Sequence, residues 1–308
     1  MKAESACDGV LLVGFGGPTA PAQIRPFLDR VLKGRPVPRE RYEQVVRHYE
    51  AMGGRSPYNE LTMLQADALR ASLRRQRLDL PVAVGMRNTP PFIEEALGEL
   101  AGRGVRRALG FILAAFRCEA SWDRYQQEVA AARDPVGPAA PAVEYPACWH
   151  DHTLFIAAVA DRVREAAARL DANARSAEII FTAHSIPVAM AGRAHYVAQL
   201  NESARLVAAA AGFERWTLAF QSRSGNPREP WLEPDITAAL RRIGAGAAVV
   251  MPLGFLCDHI EVLYDLDVEA AHVAREAGVR MERAATVSDH PQFVEMMASI
   301  IRTHLVGS

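Results

Sequence analysis

The fold class of this chain is decided by the stretch Pro252-Leu253-Gly254-Phe255-Leu256-Cys257-Asp258-His259-Ile260-Glu261-Val262-Leu263-Tyr264-Asp265-Leu266-Asp267. The apolar run that leads into it, from Ala247 to Pro252, predicts a buried strand. The strand breaks near Gly254, and a helix rich in ionisable side chains is predicted from about Ile260. A buried strand that feeds a helix is the repeating unit of α/β proteins built on parallel sheets.

A row of carboxylates lies on this predicted helix. Glu261, Asp265 and Glu269 are spaced at i, i+4 and i+8, which places them on one helix face. Like charges at this spacing destabilise a helix by roughly 0.2–0.5 kcal/mol per pair, so the row indicates a cation site. The alternative is a solvated acidic helix whose first turn is favoured by the helix dipole. The position of the row at the mouth of a strand favours the cation site.

The composition is that of a globular protein with room for two domains of ordinary size. Of the 308 residues, 50% are hydrophobic and 23% are charged, with a net charge of −1. A net charge this close to zero does not predict a nucleic-acid-binding surface. The apolar runs are too short for a transmembrane segment. Because no CxxC pair occurs, neither a disulfide framework nor a local zinc site is expected. We therefore predict a cytoplasmic protein with reduced thiols; its cysteines are Cys7, Cys118, Cys148 and Cys257.

Predicted strands and helices alternate along the whole chain, as in α/β units around parallel sheets. The strands are expected at Gly9–Phe15, Pro81–Met86, Arg107–Leu113, Ala142–Tyr145, Glu178–Ala183, Arg215–Gln221, Ala247–Pro252 and Arg280–Arg283. The stretch 109–116 resembles the stretch 249–256, which indicates two similar halves. We predict domains over residues 1–148 and 149–308, with the last helix, Pro291–Leu305, packing back on the first domain.

Glycines close the first predicted strand, in the sequence Gly14-Phe15-Gly16-Gly17-Pro18. A dinucleotide-binding pattern would need a further glycine at Thr19, so this motif is a poor match. Two interpretations stay open. The glycines allow close approach of a flat ligand, with Phe15 available for ring contact, or they form a purely structural turn.

Three further segments carry candidate functional side chains. His184 leaves the carboxyl end of a predicted strand, where a base or metal ligand would be placed, although a lone histidine is more often a core residue. Trp231 lies in a long proline-rich loop and either stacks on a ring or plugs the core. The loop before the third helix contains Ser56 and Asn59, either of which could instead cap that helix.

Five motifs, read in chain order, resemble the ferrochelatase family. They are GGP after the first strand, GG-x-SP, AHSIP, QS-x-x-GN…PWL-x-P and DHIEVLYDLD. The resemblance runs from about Gly9 to the C-terminus. It implies two Rossmann-like, chelatase-type domains, each with a central parallel sheet flanked by helices, and a cleft between them. It also implies insertion of Fe²⁺ into coproporphyrin III or protoporphyrin IX, with release of two protons, in haem biosynthesis.

The same resemblance assigns roles to individual residues. The catalytic pair falls on His184 and Glu261, which are also expected to bind the metal, and Asp265 and Glu269 match an outer metal site. Bases and oxygen or nitrogen ligands are what metallation requires, since two pyrrole protons must leave as Fe²⁺ enters. The porphyrin is expected to contact Phe15, Gly16, Gly17, Pro18, Lys33, Arg35, Ser56, Tyr58, Trp231, Asp258 and His259.

Two features depart from the family pattern, and a third point concerns the [2Fe–2S] cluster that some relatives carry through C-terminal cysteines. The soluble Gram-positive-type enzymes carry tyrosine at the position of Phe15, so a phenolate cannot ligate iron there. Lys33 and Arg35 stand where those enzymes carry a pair of arginines that meet porphyrin carboxylates. No cysteine follows Cys257, so we expect no iron–sulfur cluster and no tightly bound cofactor, with Fe²⁺ as a substrate.

The expected partners are the porphyrin, ferrous iron and, transiently, neighbouring enzymes of the haem pathway. Two alternatives to ferrochelatase are open. A cobalt chelatase of related fold would prefer Co²⁺ and a more acidic tetrapyrrole. A haem or metal carrier would bind its ligand stoichiometrically and show no turnover.

Overall fold

The computed structural model describes residues 7–34, 37–170, 176–224 and 229–306. Its eight strands form two parallel four-stranded sheets of identical topology, with the orders β2-β1-β3-β4 and β6-β5-β7-β8. The strands are β1 Gly9–Gly14, β2 Val82–Met86, β3 Arg107–Ile112, β4 Ala142–Glu144, β5 Glu178–His184, β6 Trp216–Gln221, β7 Ala247–Met251 and β8 Arg280–Arg283. The α/β prediction and its eight strands are confirmed to within one or two residues at each end.

Helices follow most of the strands and cover both sheets. They are α1 Ile24–Leu32, α2 Arg39–Ala51, α3 Tyr58–Arg75, α4 Ile93–Gly102, α5 Arg124–Val136, α6 Thr153–Ala167, α7 Val188–Ala191, α8 Tyr196–Ala211, α9 Ile236–Ile243, α10 Ile260–Val262, α11 Ala271–Glu276 and α12 Pro291–Val306. In the part of the chain that the structure describes, no helix combines the length and apolar character needed to cross a membrane.

Both faces of each sheet are buried. Successive side chains of a strand point to opposite faces, and each face packs into an apolar cluster. In β1, Val10 and Leu12 join one apolar cluster, while Leu11 and Val13 join another with helices α4 and α5. The Val10 cluster also contains residues of β5 and β7 together with α3, α6, α8 and α12. One continuous core therefore joins the two sheets.

The last helix packs against both halves. Within the shared core, α12 contributes Phe293 beside residues of α3 and α6. Polar contacts add to this packing: Ser72 of α3 and Gln76, which follows that helix, donate to the Glu295 carboxylate, each at 3.0 Å. The domain boundary at 148/149 stays a prediction, and it falls in the connection between β4 and α6.

The acidic helix differs from its predicted form. After the single turn of α10, the backbone forms a π-helix over Leu263–Ala270 before the α-helical pattern returns in α11. The prediction of a continuous α-helix here is wrong. A π-helix bonds residue i to i+5 and is frequently found at functional sites. Tertiary contacts hold this wider turn, among them the stacking of Tyr264 on His48 of α2 at 3.9 Å between ring centroids.

Candidate active site

The carboxyl ends of three neighbouring strands converge at the candidate site. His184 is the last residue of β5 and stands opposite Gln221, the last residue of β6. The turn after β7 crosses close to β5, since the Gly254 N–H donates to the Thr182 carbonyl at 2.9 Å. A Cβ atom at Gly254 would lie 2.7 Å from the Ala183 Cβ. The turn therefore requires glycine, and it delivers the following acidic segment to the end of β5.

His184 and Glu261 face each other, with 4.0 Å between Nε2 and Oε2. The Nδ1 atom of His184 lies 2.5 Å from the Ser185 carbonyl oxygen. Because a carbonyl only accepts, the hydrogen of the neutral ring belongs on Nδ1, and the lone pair on Nε2 points to the glutamate side. Both side chains remain accessible, at 34% and 41% exposure. The pair can therefore bind a metal ion or accept a proton.

The other two carboxylates of the row lead outward from this pair. Asp265 is half-buried and accepts hydrogen bonds from Ser222 and, at 3.4 Å, from Gln221. Burial, reinforced by the charges of Glu261 and Glu269, raises the pKa of Asp265 to about 7. Burial likewise raises the pKa of the more exposed Glu269. The two ends of the row, Glu261 and Glu269, are accessible, and the half-buried Asp265 stands between them in the sequence, so the row can serve as an entry path for a cation.

The predicted site residue Asp258 lies in an ion pair. Its two oxygens lie 3.2 and 3.3 Å from Nη1 and Nη2 of Arg283, on β8. The same guanidinium donates from Nε to Asp267 at 2.6 Å. Both partners of the Asp258–Arg283 pair are largely buried. Contact of Asp258 with porphyrin stays a prediction.

His259 lies between two aromatic rings and begins the acidic helix. Its ring centroid is 5.0 Å from that of Phe255 and 6.3 Å from that of Tyr58. Its Nδ1 accepts from the Val262 N–H at 3.4 Å. Burial lowers the pKa of His259 against the opposing effect of nearby carboxylates. The ring is therefore neutral at pH 7, and its role toward porphyrin stays a prediction.

In the first half, Phe15 packs against the apolar cluster that contains Ile260 of the acidic segment. Its N–H donates to the Tyr58 hydroxyl at 3.0 Å, and its ring packs edge-on against Phe27 with centroids 6.0 Å apart. The adjoining glycines are tightly enclosed: a Cβ at Gly16 would lie 2.4 Å from Thr89 Oγ1. Gly17, Pro18 and Ser56 are also buried. These contacts support the structural interpretation of the turn, and porphyrin contact at these positions stays a prediction.

Lys33 forms an ion pair, and Trp231 is partly buried. The Lys33 ammonium pairs with Glu128. The Glu128 carboxylate also accepts a hydrogen bond from Nε of Arg87, with 2.6 Å between Nε and Oε2. Burial alone would raise the pKa of Glu128, but the two cations outweigh it and lower that pKa. Trp231 is half-buried, and its Nε1 is enclosed with no hydrogen-bond partner among the residues that the structure describes. Arg35, the second predicted cation, lies outside the described residues.

Helix α2 brings residues to the site that were not predicted as site residues. His48 stacks on Tyr264 within the acidic segment. Burial raises the pKa of Tyr49, and the nearby charges of Glu261 and Asp265 raise it further. Ile260 also packs among the apolar residues of α1 and α2. The periodicity of α2 would have placed these side chains on an inward face, but it could not show what they face.

Comparison with protein families gives a match over nearly the whole chain. The family model described as ferrochelatase matches residues 7–305. The chain belongs to the ferrochelatase family. A member named ferrochelatase, from Rhodopirellula baltica, is 42% identical over 302 residues, which cover 97% of this chain and 86% of the relative. A member named coproporphyrin III ferrochelatase, from Mycolicibacterium smegmatis, is 43% identical over 307 residues, covering 97% and 90%.

Solved structures share the fold of this ferrochelatase at low sequence identity. The sirohydrochlorin chelatase SirB from Bacillus subtilis subspecies spizizenii, in complex with cobalt, superposes with a TM-score of 0.59 at 12% identity. That superposition covers 96% of this chain and 94% of SirB. CbiX, the terminal enzyme of sirohaem biosynthesis in denitrifying bacteria, gives a TM-score of 0.55 at 16% identity, covering 96% and 98%. These likenesses confirm the two-sheet chelatase architecture.

Proposed function

We propose that this protein inserts Fe²⁺ into coproporphyrin III, with His184 and Glu261 at the reacting centre. The observation that carries the proposal is the pairing of these side chains at 4.0 Å, at the end of a row of carboxylates. One nitrogen ligand and several oxygen ligands suit a borderline divalent ion such as Fe²⁺. The same groups are bases, and metal insertion must remove two protons from the pyrrole nitrogens.

The reaction follows from the order of the groups. Fe²⁺ meets the exposed Glu269 first, passes the half-buried Asp265 and reaches Glu261 beside the porphyrin nitrogens. The Nε2 lone pair of His184 and the Glu261 carboxylate accept the two pyrrole protons and pass them to solvent. Iron then occupies the four nitrogens of the dianionic macrocycle. The charge of the ion and the two released protons balance, and no redox change is needed.

The choice of coproporphyrin III rests on a relative and on charge. The Mycolicibacterium smegmatis relative at 43% identity is named coproporphyrin III ferrochelatase. Coproporphyrin carries four carboxylates and protoporphyrin two, so the former gains more from cations at the rim. The Lys33 side chain is half exposed although it pairs with Glu128, and it is our candidate for one such contact.

An anaerobic assay with purified protein, Fe²⁺ and each porphyrin tests the proposal. At a half-exposed rim one additional charge-assisted hydrogen bond is worth up to about 1 kcal/mol, so kcat/KM for coproporphyrin III should exceed that for protoporphyrin IX by up to about fivefold. Equal or reversed efficiencies would contradict the substrate assignment. Stoichiometric binding without turnover would indicate a carrier, and turnover only with Co²⁺ and a more acidic tetrapyrrole would indicate a cobalt chelatase.

We also propose that the protein works in the cytoplasm and hands its product to neighbouring enzymes of haem synthesis. The free thiols of the described cysteines, three of them buried, support a reducing compartment. Co-purification from cells lysed without detergent, followed by size-exclusion chromatography, would test both statements.

A further inference from the structure

Arg283, at the end of β8, holds two carboxylates that flank Glu261 in the sequence. Its Nη1 and Nη2 lie 3.2 and 3.3 Å from the two oxygens of Asp258, and its Nε lies 2.6 Å from Asp267. The Arg283 side chain is only 16% exposed. One guanidinium therefore ties the backbone just before α10 to the middle of the π-helix.

The pairing is selective among the five acidic residues between positions 258 and 269. Arg283 pairs with Asp258 and Asp267, the two that do not belong to the row of carboxylates. Among the described residues, none of the three row carboxylates, Glu261, Asp265 and Glu269, forms an ion pair with a lysine or an arginine. The arginine thus compensates the charges that would repel the row and leaves the row itself open to a cation.

The geometry of this contact makes it a rigid one. Arginine presents its donors in a planar fork, which fixes a carboxylate in direction as well as in distance. Glu261 lies three residues after one fixed point and six residues before the other. The inward side of the same segment is held by the burial of Val262 and Leu266. The position of the Glu261 backbone is therefore determined from two directions.

We infer that Arg283 is a positioning residue for metal insertion, which fixes Glu261 relative to His184 through Asp258 and Asp267. The inference rests on the proposed function, since it concerns the pair assigned to the reaction there. A misplacement of about 1 Å can cost roughly 10²-fold in rate. Loss of this contact should therefore reduce kcat much more than it reduces the affinity for porphyrin.

Arg283→Met and Arg283→Lys test the inference in the full-length protein. Methionine keeps the aliphatic stem and removes both ion pairs, so we expect kcat to fall by about tenfold or more. The KM for porphyrin and the Kd for porphyrin from fluorescence titration should both stay within about twofold of wild type. Lysine can serve one carboxylate as a point charge, so its kcat should be intermediate. A merely structural role would lower the thermal midpoint but leave kcat per folded molecule unchanged.

Glu282→Gln is the matched control. Glu282 is the neighbouring residue of β8 and pairs with Arg169 at 2.8 Å, away from the acidic segment, so its kcat should stay at the wild-type value. Folded Arg283→Met with wild-type kcat, or with equal losses in kcat and porphyrin affinity, would overturn the inference. If that variant does not fold, Asp267→Asn decides, because Asp267 is partly exposed: reduced kcat supports the inference and unchanged kcat overturns it. Wild-type protein without turnover would instead refute the proposed function.

Discussion

At the scale of single residues, the tautomer of His184 gives the clearest expectation. Its Nδ1 is committed to the Ser185 carbonyl at 2.5 Å, so Nε2 is the atom that faces Glu261 and the reacting centre. His184→Ala should abolish metallation to below about 1% of the wild-type rate, because a base and ligand disappear together. Porphyrin should still bind, as measured by fluorescence titration.

The exposed His195 supplies the control for this variant. His195→Ala lies in the same half of the molecule and should turn over at the wild-type rate. A folded His184→Ala protein that retains turnover within a few-fold of wild type would show that His184 is a structural histidine.

Asp265 should make stability depend on pH in the metal-free protein. Its pKa is raised to about 7 in the folded state, against about 3.9 in an unfolded chain. Between these values the folded state binds more protons, so the free energy of unfolding falls as pH rises toward 7. Asp265→Asn removes this titration, and its thermal midpoint relative to wild type should therefore be higher at pH 8 than at pH 5. Thermal midpoints of wild type, Asp265→Asn and the control Glu94→Gln, an exposed position, should be measured against pH in the presence of a chelator. A difference between Asp265→Asn and wild type that does not change with pH would contradict the prediction.

At the scale of elements, α10 and the π-helix that follows it sort their side chains into two rows. Val262, Leu266 and Ala270 are buried against β7 and α9, while the neighbouring acidic row lies toward solvent and the site. The outer carboxylates are expected to collect Fe²⁺ rather than to take part in insertion. Asp265→Asn combined with Glu269→Gln should raise the KM for Fe²⁺ about tenfold and change kcat less than threefold.

Glu276→Gln provides the comparison for the double variant, since Glu276 is an exposed carboxylate on the following helix. It should leave the KM for Fe²⁺ unchanged. A double variant that loses kcat and keeps its KM would place the two carboxylates at the reacting centre instead.

The sequence predicted the strands well because buried strands carry their signal locally, in runs such as 247–251. It placed His184 and the acidic segment each after the carboxyl end of a strand, and parallel strands end at the same edge. The π-helix and the role of Arg283 could not be predicted in this way. Both depend on partners far along the chain, such as His48 for Tyr264, and no periodicity within the segment encodes those contacts.

At the scale of the whole molecule, the shared core predicts one cooperative unfolding transition. Phe293 of α12 is fully buried and packs against Trp149 and Phe155 at 5.9 and 6.0 Å between centroids. Phe293→Ala should destabilise the protein by about 3–5 kcal/mol and shift far-UV and near-UV transitions together. The half-exposed Leu64→Ala should cost less than about 0.5 kcal/mol. Two separated transitions would show that the halves unfold independently.

The position of α12 also bears on synthesis at the ribosome. Helix α3 of the first half rests on α12, whose residues are translated after all eight strands of the two described sheets. At a translation rate of about 5–20 residues per second, α12 is synthesised on the order of ten seconds after the first sheet is complete. During that time its apolar flank is open to solvent and to other nascent chains. A co-translational chaperone that shields α3 should therefore raise the yield of active protein more than one that acts after release.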